Sequence, residues 1–118
     1  ILITTRQPSV IEDNYFYGMQ MSAILVADDA RSWFESGPVH NLTIRNNTFN
    51  RCAGSTIWIN PENRKKAGAV HRNITIENNV FTLRSQDDKP LVYDSVDNLK
   101  VKNNIVISPN GETRKLSY

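Results

Sequence analysis

Apolar and polar side chains alternate along this chain in short bursts that recur. Leu42 and Ile44 flank Thr43, Ile74 and Ile76 flank Thr75, and Leu99 and Val101 flank Lys100. Period two is the pattern of a β-strand with one buried face. Each burst runs into the same short motif. Its copies are Ile11-Glu12-Asp13-Asn14-Tyr15-Phe16, Ile44-Arg45-Asn46-Asn47-Thr48-Phe49, Ile76-Glu77-Asn78-Asn79-Val80-Phe81 and Val101-Lys102-Asn103-Asn104-Ile105-Val106. The first copy is weaker upstream, because Ser9 stands where the others carry Leu or Ile. The anchors at 11, 44, 76 and 101 are 33, 32 and 25 residues apart.

An Asn recurs at one place after each alternating strand, at Asn14, Asn47, Asn79 and Asn104. Asn tolerates tight turns and bonds its own backbone, and stacked copies would pair their amides in a ladder. Phe16, Phe49, Phe81 and Val106 then point into the core two residues later. A second strand follows each turn, as Ile24-Leu25-Val26-Ala27, Ile57-Trp58-Ile59-Asn60 and Leu91-Val92-Tyr93-Asp94. Two strands in a repeat whose single coils cannot bury their own faces predict a solenoid. The fold expected is all-β, a right-handed parallel β-helix of about four coils with an Asn ladder. A β-sandwich is the alternative, but the two-residue hairpin signals it needs are missing. Variation falls in the loops 30–41, 60–73 and 82–90, and 111–118 reads as a tail or the start of a further coil.

At 118 residues the chain suits one domain with a core. Residues 1–118 are expected to form a single β-helix domain, a fragment of a larger catalytic domain, because the chain opens on Ile1 as if already within a strand. Four coils with open ends would expose strand edges, so self-association or further upstream coils are expected to cover them. A net charge of +2 gives no argument for a nucleic-acid partner. No stretch reaches the roughly 20 apolar residues of a membrane helix. Cys52 is the one cysteine, and with His40 and His71 it makes no metal-ligand spacing. The two histidines read as loop or edge residues, and Asp87-Asp88 as turn chemistry. Glu12 and Glu77 read as surface residues.

The chemistry concentrates in Ala23-Ile24-Leu25-Val26-Ala27-Asp28-Asp29, an apolar strand that ends in two carboxylates, followed by Ser32-Trp33-Phe34-Glu35. Setting Ile24 over Ile57 puts Asp28 over Pro61 and Asp29 over Glu62. Rungs about 4.8 Å apart would then gather three carboxylates from two coils. Trp33, Glu35, Trp58 and Arg64 are close in sequence or stacking. Paired carboxyls are what glycoside hydrolysis requires; crowding raises one pKa so that it can act as acid, and aromatic faces suit sugar rings. The same acids could also serve as a turn or hold calcium.

The run Asp28-Asp29-Ala30 with Ser32-Trp33-Phe34-Glu35-Ser36-Gly37-Pro38, together with Thr4-Thr5-Arg6 and Pro61-Glu62-Asn63, resembles glycoside hydrolase family 110. The likeness covers roughly residues 1–106, corresponding to the later coils of that family's β-helix domain. The family comprises bacterial α-1,3-galactosidases, which remove terminal α-1,3-linked galactose with inversion and without a cofactor. The resemblance implies catalytic roles for Asp28 and Asp29, with acid and base unassigned. Glu62, or an acid from preceding coils, is the alternative second carboxylate. Glu62, Trp33, Glu35, Arg64 and Trp58 are the expected substrate contacts, on an oligosaccharide with terminal α-galactose. The resemblance also implies an extracytoplasmic location: periplasmic, secreted or cell-surface. Two other readings stand beside it, a non-catalytic carbohydrate-binding or structural β-helix module and a lyase acting on acidic polysaccharide.

Overall fold

The structure, a computed structural model, describes residues 1–3, 7–27, 39–52, 54–60, 71–94 and 96–116. The first coil carries β1 (Leu2–Ile3), β2 (Ser9–Glu12) and β3 (Tyr15–Tyr17). The second carries β4 (Ile24–Ala27), β5 (His40–Arg45) and β6 (Thr48–Asn50). In the third are β7 (Ser55–Asn60), β8 (His71–Glu77) and β9 (Val80–Thr82), and in the fourth β10 (Lys89–Tyr93), β11 (Val96–Lys102) and β12 (Ile105–Ile107). Strand β13 (Thr113–Lys115) follows.

Corresponding strands stack in parallel into three sheets, β1-β4-β7-β10, β2-β5-β8-β11 and β3-β6-β9-β12. This is the parallel β-helix expected, with about four coils, but each coil has three strands where the alternation pointed to two. The third is the three-residue strand after each Asn. At that length it carries too little alternation to stand out from the turn before it. The C-terminal segment also differs from a further coil: β13 runs antiparallel on β12, pairing Val106 with Arg114. That hairpin covers the free edge of β12, one of the ways sheets avoid open edges.

The expected registers are those observed. Ile11, Ile44, Ile76 and Val101 align through successive pairings, as do Ile24, Ile57 and Leu91. Their side chains fill the inside of the coil, where Ile24, Ile44, Ile57 and Ile76 are fully buried. Phe16, Phe49 and Phe81 stack there in a column, with ring centroids 5.0 and 4.9 Å apart and planes within 10° of parallel. Val106 ends the column, buried in the same cluster.

The Asn-Asn dipeptide divides two tasks that the sequence reading gave to one residue. The first member makes the turn: Asp13, Asn46, Asn78 and Asn103 all have φ between 56 and 59°. Asn and Asp adopt this left-handed conformation more readily than other side chains. The second member makes the ladder. Asn47 Oδ1 accepts from the backbone N–H and the side-chain amide of Asn14, at 3.0 and 3.1 Å. Asn47 Nδ2 donates to Asn79 Oδ1 at 3.1 Å and to the Ile11 carbonyl at 2.9 Å. Asn79 repeats the arrangement with Asn104 and the Ile44 carbonyl. Both buried amides therefore use both donors and the carbonyl oxygen.

A second, exposed ladder runs through Asn41, Asn73 and Asn98, also with positive φ. Outside the β2-β5-β8-β11 sheet, Glu12, Arg45, Glu77 and Lys102 lie in one row of alternating charge. Ion pairs close at 2.7 Å between Arg45 and Glu12 and 3.4 Å between Lys102 and Glu77. Glu12 and Glu77 are thus surface partners, as expected. Asp88 is turn chemistry, accepting from the Gly54 and Ser85 amides at 3.1 and 3.0 Å. His71 is not at a loop or edge. It is 0% exposed, and its Nδ1 accepts the Val39 N–H at 2.9 Å, so the imidazole closes an amide between coils. Cys52 is buried, which pushes its thiol pKa up.

Replacing Asn79 by Ala removes four hydrogen bonds inside the coil, to the Asn47 backbone and side-chain amides, the Ile44 carbonyl and Asn104 Oδ1. The expected loss is about 3–5 kcal/mol in denaturant unfolding. Asn14→Ala, at the exposed end of the ladder, should cost only about 1 kcal/mol. Equal losses at the two sites would show that the ladder does not act through burial. A second expectation concerns Arg51, which has φ 56° where the coil below has Gly18 at φ 62°. Arg51→Gly should raise stability by about 0.5–1 kcal/mol, the left-handed strain less the entropy of glycine. A lower melting temperature would contradict this.

Candidate active site

Inside and outside alternate along β4 and β7. Ile24 and Val26 of β4, and Ile57 and Ile59 of β7, face the core and are fully buried. The residues between them therefore face outward. Leu25 pairs with Trp58, which pairs in turn with Val92, and Leu2 lies beside Leu25. The outer face of this sheet thus bears an apolar row where the neighbouring sheet bears threonines and charges.

Trp58 is 41% exposed at the centre of that row. Beside it is a depression of about 340 Å³. Gln20, Met21, Ser22, Leu25, Ser55 and Trp58 line it, and its surface is mostly apolar. Its wall at Gly54 is held from the coil above. Gly54 N–H donates to Asp88 Oδ1, and the Lys89 amide donates to the Gly54 carbonyl at 2.9 Å. The turn leading into β7 is thereby fixed at both its donor and its acceptor.

At the far end of these strands Ala27 pairs with Asn60. The alignment of Ile24 over Ile57, from which the carboxylate cluster was expected, is the register seen. The chain continues from Ala27 into Asp28 and Asp29, and from Asn60 through Pro61 to Glu62. Asp28, Asp29, Trp33, Glu35, Glu62 and Arg64 all lie outside the described residues. Of the expected site residues Trp58 alone is described, and it is outward and accessible. Among the described residues no group of three His, Cys, Asp or Glu side chains could hold a metal ion.

The residues around Trp58 were not singled out from sequence. Gln20, Met21 and Ser22 lie between strands, where no period shows which way a side chain points. Leu25 and Trp58 did carry a signal: both occupy outward positions of a β-strand that would ordinarily be polar.

Comparison with known proteins agrees with the β-helical fold. Residues 1–106 match the family described as right-handed beta helix region. The chain is 55% identical to alpha-1,3-galactosidase A of Bacteroides thetaiotaomicron over 117 residues, covering 99% of this chain and 21% of that protein. It is 40% identical to alpha-1,3-galactosidase A of Bacteroides fragilis, covering 90% of the chain and 18% of the relative. With alpha-1,3-galactosidase B of Akkermansia muciniphila the identity is 41%, over 90% of the chain and 14% of the relative. The chain thus spans about a fifth or less of the length of these relatives. The resemblance read from the Asp-Asp-Ala and Ser-Trp-Phe-Glu runs is borne out: the chain belongs to the right-handed β-helix family and is a homologue of the α-1,3-galactosidases.

Proposed function

We propose that this chain contributes the catalytic carboxylates of a glycoside hydrolase that removes terminal α-1,3-linked galactose from glycans, with inversion. The observation that carries the reading is the pairing of Ala27 with Asn60 in a homologue of α-1,3-galactosidases. That pairing sets side by side the two strands that run on to Asp28-Asp29 and to Glu62. The strand ends start one rung, about 4.8 Å, apart. An inverting pair must stand about 6.5–9.5 Å apart to admit a water molecule, a separation within reach of side chains diverging from adjacent rungs.

In this mechanism one carboxylic acid gives its proton to the glycosidic oxygen as the bond to the anomeric carbon breaks. The other carboxylate takes a proton from water, which attacks the opposite face of the sugar. Asp28 and Asp29 carry these roles, or one of them does together with Glu62. In a mechanism of this kind the negative charge of the base disfavours ionisation of the acid, which helps keep the acid protonated nearer neutral pH. The remaining expected residues, Trp33, Glu35 and Arg64, contact the galactose. The chemistry uses two carboxyls and water and needs no cofactor. A glycan substrate of this kind also suits an extracytoplasmic location.

The test is hydrolysis of α-1,3-galactobiose by the chain, followed through the anomeric proton in NMR. β-Galactose should appear first. Asp28→Asn and Asp29→Asn should each slow its release by about 10²–10⁴-fold, the usual size of an acid or base contribution. Undiminished turnover in both variants would remove the aspartates from the mechanism. Saturable binding without turnover in the unmutated chain would favour a non-catalytic carbohydrate-binding module.

A further inference from the structure

The outer faces of the sheets differ in chemistry. The β2-β5-β8-β11 face carries the charged row Glu12, Arg45, Glu77 and Lys102. In the β3-β6-β9-β12 sheet Phe16, Phe49 and Phe81 point into the core, so the residues on either side of each point outward. Tyr15, Thr48 and Val80 form one outer row, and Tyr17, Asn50 and Thr82 the other. None of these six carries a formal charge. The first charge along the two rows is Lys115, beyond Ile105 at the end away from the tyrosines.

Tyr15 and Tyr17 are each 62% exposed. Their ring planes lie within 11° of parallel, and the centroids are 6.4 Å apart, wider than the 5.0 and 4.9 Å of the interior Phe column. The Tyr15 hydroxyl accepts from Asn50 Nδ2 at 3.0 Å. Asn50 belongs to the next coil, so this bond lays the Tyr15 ring across the sheet and fixes it before a ligand arrives. The face thus offers two aromatic rings with hydroxyl and amide groups beside them. That chemistry matches a ligand with C–H groups on one face and hydroxyls at its edge, the form of a pyranose ring. Size and charge then separate the occupants. Strands of three residues span about 10 Å, and four of them side by side about 15–20 Å. That area of roughly 200 Å² compares with about 800 Å² from each partner in a stable protein interface. The face is too small for a second copy of the chain and large enough for a short oligosaccharide. An acidic ligand would find no cation beside the tyrosines.

We propose that the outer face around Tyr15, Tyr17 and Asn50 is a carbohydrate-binding surface that holds a short neutral oligosaccharide without cleaving it. It is separate from the candidate acids. Those stand between β4 and β5 and between β7 and β8 in the chain, on connections from the first sheet to the second, whereas the tyrosines lie on the third. The six outer residues include no carboxylate, so the face binds and does no chemistry. Such a surface raises the local concentration of glycan at the protein, the gain that comes from linking two binding sites. The inference goes beyond the glycosidase reading and does not depend on it.

The experiment titrates the chain with β-1,4-galactotriose, a neutral trisaccharide that has no α-1,3 bond to cut. NMR follows the ring signals of Tyr15 and Tyr17 and the side-chain amide of Asn50. All three should move together and saturate. Tyr17→Ala should weaken binding about tenfold, a loss of the size one aromatic platform supplies, while Tyr17→Phe keeps most of the affinity. The ring and amide signals read the surface in the unmutated chain, so the test survives a variant that fails to fold. Signals that stay in place as the sugar is added, or undiminished binding in Tyr17→Ala, would overturn the inference. Signals that move when the chain alone is concentrated would assign the face to contact between copies and overturn it as well. Absence of turnover on α-1,3-galactobiose, with these signals still responding to the trisaccharide, would remove the glycosidase reading and leave this surface standing.

Discussion

A parallel coil has no hairpin to set the register between its strands. Each strand meets its partner only after the chain has gone once around, and the connections differ in length from coil to coil. Something must therefore fix each coil on the one below, and here it is the Asn ladder. Asn47 and Asn79 each accept the next amide in the column and donate both to the ladder and to a strand carbonyl. A shift of one residue would bring Thr48 or Val80 to the column and leave buried polar groups unpaired, at about 1–3 kcal/mol for each group. The same shift would also turn every apolar side chain outward. Polar satisfaction and hydrophobic burial thus select the same alignment, the agreement between levels that marks a well-specified fold.

The ladder lies at the turn between two sheets, yet its consequence is felt on the third. Asn14 and Asn47 each stand ten residues before Ile24 and Ile57, so stacking the one pair delivers Ile24 over Ile57 and Leu25 over Trp58. The outer face of that sheet is then free to depart from ordinary surface composition, because its inner face alone holds it in place. The scaffold stores its stability in Ile, Val and Phe columns inside, and its chemistry can sit outside on strand ends. This separation allows coils of one architecture to carry different sites.

Much of the architecture was legible in the sequence because its strongest determinants are periodic. The alternation around Ile44 and Ile76, the recurrent Asn and the Phe two residues later each mark a specific place in the coil, and all three are found there. What escaped was too short or too indirect to carry a period. The strands at Tyr15–Tyr17 and Val80–Thr82 are three residues long, so alternation has no room to show. His71 looked like a loop residue because nothing in its neighbourhood reveals that the Val39 amide, 32 positions earlier, lies in reach of its ring. The C-terminal hairpin depends on an edge that only the folded coil creates. For the site, the Ile24-to-Ile57 register and the outward Trp58 were legible from the repeat. The depression was not, since Gln20, Met21 and Ser22 come from a connection whose path no pattern specifies.

That the Asn column holds the coils in register can be measured by amide hydrogen exchange in the unmutated chain. The Asn47 and Asn79 amides donate to side-chain oxygens, at 2.9 and 3.0 Å, where a strand amide would donate to a carbonyl. If the column is the constraint described here, those two amides should exchange as slowly as Ile44 and Ile76 within the strands, opening only with global unfolding. Fast exchange at Asn47 and Asn79 while the flanking strands stay protected would contradict the account, and would leave the register to the apolar columns alone.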